Sequence, residues 1–232
     1  MLQGASGNFA PITRKRDNNM TPHSIGLFGG SFDPVHNGHL ALITGAISEL
    51  NLDELRVIPC HIPPHKAPLQ AGADDRVKML ELALAGLLRT RIELSELNKI
   101  QPSYTIETVQ HLRAQLGDKA RLTFIIGWDS WQSFTSWHRW CEILNYTNVA
   151  VAKRPGSHAS TPKDLQRWSE TRLLAPGALT EHPCGKIVML SSEEHDISSS
   201  HVRECLRRGA PINDWVPVEA AKYIKEKHLY RS

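Results

Sequence analysis

An α/β fold built on an open, mostly parallel sheet is the architecture this sequence predicts, and three observations predict it. Short apolar runs alternate with segments of helical period along most of the chain. The first apolar run ends in paired glycines and a helical pattern follows directly, the layout of a strand, turn and crossover helix. The 232 residues are 41 % hydrophobic and 22 % charged. That is ordinary for a globular domain, and a chain of this size hides roughly 70–75 % of its unfolded surface.

The elements follow in order. "SIGLFG" (Ser24–Gly29) reads as a buried strand. "NGHLALITGAISEL" reads as a helix, with Leu40, Ile43, Ile47 and Leu50 on one face. "LRVIPC" (Leu55–Cys60) closes a βαβ unit, whose crossover is expected to be right-handed. A helix over Asp74–Leu87, a strand over Thr90–Leu97 and a helix over Thr105–Gly117 continue the alternation. Glu107 sits in the first turn of that last helix and Gly117 closes it. "RLTFIIG" (Arg121–Gly127) is a strongly apolar strand, "WHRWCEIL" a short helix and Thr147–Lys153 another strand. Between residues 154 and 185 the pattern weakens, with a helix expected only at "KDLQRWSET". Strand Lys186–Ser191 and helices Ser198–Gly209 and Pro217–Tyr230 end the chain, with Pro217 at a helix start where proline is tolerated. The expected organisation is a polar N-terminal extension over 1–23, with Met20 as an alternative start, and one domain over 24–232.

Several function classes are disfavoured. A net charge of +3 is too mild for a nucleic-acid binder, though it leaves room for a local anion site. No apolar run approaches the ~20 residues of a membrane span, and the N-terminus lacks a secretory core, so a cytoplasmic protein is expected. Cys60, Cys141, Cys184 and Cys205 form no CxxC pair, which argues for thiols over zinc or disulfides.

The chemistry concentrates in "GGSFDPVHNGH". Ligands of open parallel sheets gather where strands end and helices begin. Gly29 and Gly30 let backbone approach closely, and Asp33-Pro34 can fix a turn through Asp33 bonds to nearby amides. His36 and His39 bracket a helix start whose amides attract anions. The histidines could instead be a metal pair or incidental. However, the Glu of HExxH is missing and no carboxylate or cysteine sits at ligand spacing, so no metal site is expected. The pattern is neither GxGxxG nor a Walker loop. A second stretch, "DISSSHVRECLRRG", places Ser198, Ser199 and Ser200 before an amphipathic helix with Arg203 one turn inside. The serines can cap orphan amides, and the guanidinium offers a planar fork for phosphate oxygens.

"GGSFDPVHNGH" resembles the signature of the HxGH nucleotidyltransferases. That resemblance implies a Rossmann-like sheet with helices on both faces and the C-terminal helices packed alongside. It also implies that His36 and His39 stabilise charge while a phosphate attacks the α-phosphate of a nucleoside triphosphate. "ISSSHVR" resembles the family's "ISSTxIR" element, with Ser200 where threonine is usual, and so implies that Arg203 grips the triphosphate. By the resemblance, ATP would be bound by Gly29, Gly30, Ser31, Phe32, His36, His39, Gly127, Asp129, Ser199, Ser200 and Arg203, with Mg²⁺ on its phosphates.

Three further stretches narrow the family. "IPPHKAP" places His65 and Lys66 after the second strand, where they could meet an anionic acceptor. "PSYTIET" puts the Tyr104 and Thr105 amides at a helix start that could hold a carboxylate. "IIGWDSWQSFTSWHRW" follows a buried strand with Asp129, able to accept from a ribose hydroxyl, and Trp137, able to stack on an aromatic ring. Together these resemble the bacterial nicotinate-mononucleotide adenylyltransferases, although Trp128 stands where smaller residues are common. The resemblance implies that nicotinate mononucleotide is held by His65, Lys66, Tyr104, Thr105, Asp129 and Trp137. Two alternatives stay open at this point. One is a related adenylyltransferase acting on nicotinamide mononucleotide or phosphopantetheine, and the other is a non-catalytic nucleotide binder.

Overall fold

The computed structural model describes residues 23–61, 68–98, 104–153, 161–191 and 197–231. Among these residues seven parallel strands form one sheet in the order β3-β2-β1-β4-β5-β7-β6. Their ranges are β1 Ser24–Gly30, β2 Glu54–Pro59, β3 Thr90–Ile92, β4 Arg121–Gly127, β5 Asn148–Ala152, β6 Leu173–Leu174 and β7 Ile187–Leu190. The helices are α1 Asn37–Glu49, α2 Ala73–Leu84, α3 Thr105–Leu116, α4 Trp128–Gln132, α5 Lys163–Ser169, α6 Ser199–Arg207 and α7 Val218–Glu226. The central strands are buried on both sides, as all-parallel sheets require, so β1, β4 and β5 read as continuous apolar runs.

The two faces carry separate cores. One holds Phe32, Leu42, Ile43, Met79, Leu80, Val202 and Ile224, so α1, α2, α6 and α7 share it. The other holds Ile106, Val109, Leu112, Trp131, Phe134 and Leu165, from α3, α4, the 3₁₀ turn that follows α4, and α5. The C-terminal helices thus complete one face of the sheet. Among the described residues no helix is long and apolar enough to cross a membrane.

Several sequence expectations are corrected. The buried stripe of α1 is Gly38, Leu42, Ile43 and Ala46, with Leu40 and Ile47 only packed at its margin. β3 ends at Ile92. Just beyond it Glu93 pairs with Arg56 at 3.1 Å and accepts from the Ser95 amide, and the chain turns as Leu97 N–H bonds to the Leu94 carbonyl. The helix expected at "WHRWCEIL" is a 3₁₀ segment, Trp140–Asn145, entered through Arg139 at φ 50°. Helix α4 and the two-residue β6 carry no clear sequence signal, because each is too short to show a period. The 1–23 extension, apart from His23, lies outside the described residues.

Candidate active site

β1 and β4 are neighbours, yet α1 leaves β1 for one face while α3 and α4 lie on the other. The crevice therefore opens at their C-terminal ends, between Gly30 and Gly127. Gly26 is needed for packing, since a Cβ there would lie 2.6 Å from Leu52 Cδ1. The same holds for Gly30, whose added Cβ would sit 2.9 Å from the Phe32 ring. Phe32 is fully buried at φ 48°, so its side chain serves the core and only its backbone and that of Ser31 border the crevice.

The turn is held from distant parts of the chain. Asp33 does not bond nearby amides. Its buried carboxylate accepts from the Gln70 amide at 2.8 Å, the Ala71 amide at 3.0 Å and the Tyr230 phenol at 2.7 Å. Buried Arg76 donates through Nη1 to the Ser31 carbonyl at 2.9 Å and the Cys60 carbonyl at 2.8 Å. Helix α6 is fastened to the same turn. Arg203 Nη1 donates to the Asp33 carbonyl at 2.7 Å, and the Ser199 hydroxyl donates to the Pro34 carbonyl at 2.9 Å. Ser198 is the N-cap, accepting from the His201 amide at 3.2 Å, and Ser200 Oγ accepts from Arg203 Nη2 at 3.2 Å. The two motifs recognised 170 residues apart thus meet directly.

His36 is the N-cap of α1, and its ring stacks on that of His39 with centroids 3.6 Å apart. The His36 backbone N–H donates to His39 Nδ1 at 3.1 Å. Neutral His39 therefore carries its proton on Nε2. Phe32 meets the His39 ring edge-on at 5.0 Å and fixes its plane. Burial pushes the His36 pKa down to about 4, so this ring is neutral at pH 7, and its Nδ1 has no hydrogen-bond partner among the described residues. A permanent guanidinium, the buried neutral His36 and the Ser199 and Ser200 amides of α6 suit a multiply charged anion, whereas at α1 the Asn37 amide is on the Trp215 carbonyl at 2.7 Å and the His39 amide on the His36 carbonyl at 2.9 Å.

Phe124 of β4 packs on the α3 and α4 side of the crevice. That ring contacts the position a Gly29 Cβ would occupy at 3.4 Å, and Trp137 packs edge-on against it at 6.2 Å. Trp137 is half-buried and also leans on Phe134 at 5.3 Å. Tyr104 is the N-cap of α3 and Thr105 its first residue. The Tyr104 ring packs on His138 at 4.6 Å, which brings the α3 start beside the Trp137 segment. Gly127 precedes α4 and Asp129 lies exposed in its first turn. His65 and Lys66 lie outside the described residues. Arg76, His138 and Tyr230 were missed by sequence reasoning, because none has a local motif and each acts through a partner remote in sequence. Among the described residues no group of three or more His, Cys, Asp or Glu could hold a metal ion.

A parallel sheet with a histidine-lined turn at its switch point and an Ser–Arg helix fastened to that turn defines a nucleotidyltransferase. The cytidylyltransferase-like family model matches residues 27–205, and the chain belongs to that family. Curated relatives of similar length carry the name of nicotinate-nucleotide adenylyltransferases. A Yersinia pestis (strain Pestoides F) protein named "Probable nicotinate-nucleotide adenylyltransferase" is 38 % identical over 212 residues, covering 90 % of this chain and 96 % of its own. A Cellvibrio japonicus protein of the same name is 36 % identical over 208 residues, covering 90 % and 99 %. The Plasmodium falciparum nicotinic acid mononucleotide adenylyltransferase, solved in complex with APC, superposes with a TM-score of 0.67 at 20 % identity over 90 % of this chain and 97 % of its own. At that identity the likeness shows the fold alone.

Proposed function

We propose that this protein transfers the adenylyl group of ATP to nicotinate mononucleotide, giving deamido-NAD and pyrophosphate. The observation that carries the reading is the junction of the His36/His39 turn with Arg203 through the Asp33 carbonyl. The acceptor phosphate oxygen forms a bond to the α-phosphorus, and the bond from that phosphorus to the β-bridging oxygen breaks, the electron pair leaving with pyrophosphate. The acceptor phosphate is already ionised near neutral pH, so positioning and charge stabilisation suffice.

His39 Nε2–H and the buried, neutral His36 face the α-phosphate, and Arg203 with the Ser199 and Ser200 amides holds the departing phosphates. Ser199 acts through its amide, its hydroxyl being already donated to the Pro34 carbonyl. Gly29, Gly30, Ser31 and Phe32 contribute backbone, and Gly127 and Asp129 border the ribose. ATP would enter as its Mg²⁺ complex, the ion supplying charge neutralisation for the leaving pyrophosphate. On the acceptor side the Tyr104 and Thr105 amides take the nicotinate carboxylate, Trp137 stacks on the pyridine ring, and His65 and Lys66 meet the phosphate. The reaction takes place in the cytoplasm.

The test is pyrophosphate release from MgATP with nicotinate and nicotinamide mononucleotides compared. The expected result is turnover that favours the nicotinate form. Release with neither substrate refutes adenylyl transfer, and preference for the amide form refutes the carboxylate site at α3.

A further inference from the structure

Two tyrosines tie the last helical segment to the rest of the protein. Tyr223 on α7 donates to Asp75 Oδ1 on α2 at 2.8 Å, and Tyr230 beyond α7 donates to Asp33 Oδ1 at 2.7 Å. The two bonds have different consequences. Asp75 lies in the first turn of α2, and among the described residues its carboxylate accepts only from this phenol. Asp33 is the hub of the crevice: its carboxylate collects three donors while its carbonyl receives Arg203.

We infer that Tyr230 is a positioning residue for adenylyl transfer, holding Asp33 and, through it, the His36/His39 turn in register with Arg203. This rests on the reading of that turn as the phosphate site.

The argument is geometric. Asp33 follows Phe32, whose left-handed backbone persists only because its surroundings over-determine it. It precedes His36 by three residues, and the His36 amide sets the His39 ring. Asp33 Oδ1 has two donors, and removing the phenol leaves it with the Ala71 amide at 3.0 Å. A buried carboxylate short of a donor shifts to find another. Any shift of residue 33 passes to Arg203 through its carbonyl bond and to His36 along the chain. Tyr230 is itself buried, with φ 64°, and Leu229 N–H bonds back to the Ile224 carbonyl. The phenol is thus delivered by a shaped turn after α7. Burial and the neighbouring Asp33 charge raise the phenol pKa well above its usual value, so it stays a donor across the working pH range.

The test compares Tyr230→Phe with Tyr223→Phe, two variants that each lose one hydroxyl on a carboxylate. For Tyr230→Phe, kcat is expected to fall about tenfold, the effect of roughly one lost charge-assisted hydrogen bond expressed at the transition state. KM for both substrates should stay within about threefold, as for an interaction that matters only in the transition state. Tyr223→Phe should keep kcat near wild type. Unchanged kcat in Tyr230→Phe, or an equal loss in Tyr223→Phe, overturns the inference. A substrate-free readout stands beside these, the ¹⁵N signals of the His39 ring. They are expected to move in Tyr230→Phe and not in Tyr223→Phe, and unmoved signals in Tyr230→Phe overturn the positioning. If wild-type protein releases no pyrophosphate, the adenylyl-transfer reading falls while the ring signals still decide whether Tyr230 sets the turn.

Discussion

Lowering the pH from 7 to 5 protonates histidines in the unfolded chain while leaving His36 largely neutral in the folded one. Burial holds its folded pKa at about 4 against an ordinary 6.5. Between those values the unfolded state binds the extra proton, so stability rises with pH there. The contribution of a neutral His36 is complete above about pH 6.5 and is lost as the pH falls toward 4. Integrating the proton difference from pH 7 to 5 gives a loss of about 2 kcal/mol from this residue. Other groups titrate as well, so the measurement is a comparison with His36→Asn, which keeps an N-cap side chain for α1. Urea unfolding at pH 7 and pH 5 reads the effect, and about 2 kcal/mol corresponds to a midpoint shift of roughly 1 M. The wild type should lose that much more than the variant on acidification. Equal pH dependence in the two proteins would refute the assignment of a desolvated, neutral His36.

Two further outcomes are expected. His39→Ala should leave the thermal transition intact yet lower turnover by about 10²–10³, the usual loss for one transition-state donor; near-normal turnover would remove His39 from the mechanism. Gly30→Ala should destabilise by about 1–3 kcal/mol, because its Cβ meets three atoms of the buried Phe32 ring at 2.9–3.2 Å, and Tm should drop by roughly 3–10 °C. Gly29→Ala, whose Cβ meets only Phe124 at 3.4 Å, should fall less, and calorimetry that ranks the two in the opposite order contradicts the packing account.

Much of the fold was legible because parallel strands buried on both faces leave unbroken apolar runs. β4 and β5 stand out for this reason, and glycine closes β1. The α1 stripe was half legible: Ile43 and Leu50 are buried as read, while apolar residues around most of that helix left periodicity unable to choose between Leu40 and Leu42. α4 and β6 were illegible because five and two residues hold no period. In the site, His36, His39, Ser199 and Arg203 were readable because each sits in a compact motif. Asp33 was noticed for its turn propensity but assigned the wrong partners. Its donors come from residues 70, 71 and 230, distances along the chain that no local pattern spans.

The sequence by itself determined the layered α/β class, the helix starts and the residue types gathered at them. These follow from short-range rules: the period of burial, the conformational freedom of glycine and the capping of orphan amides. Tertiary structure alone decided which groups are already engaged and which way they face. It aimed the Ser199 hydroxyl at the Pro34 carbonyl and Arg203 at the Asp33 carbonyl, buried His36 and set the His39 tautomer. Desolvation and hydrogen-bond pairing depend on neighbours far along the chain, and those neighbours exist only once the sheet has brought β1, α2, α6 and the segment after α7 to one edge.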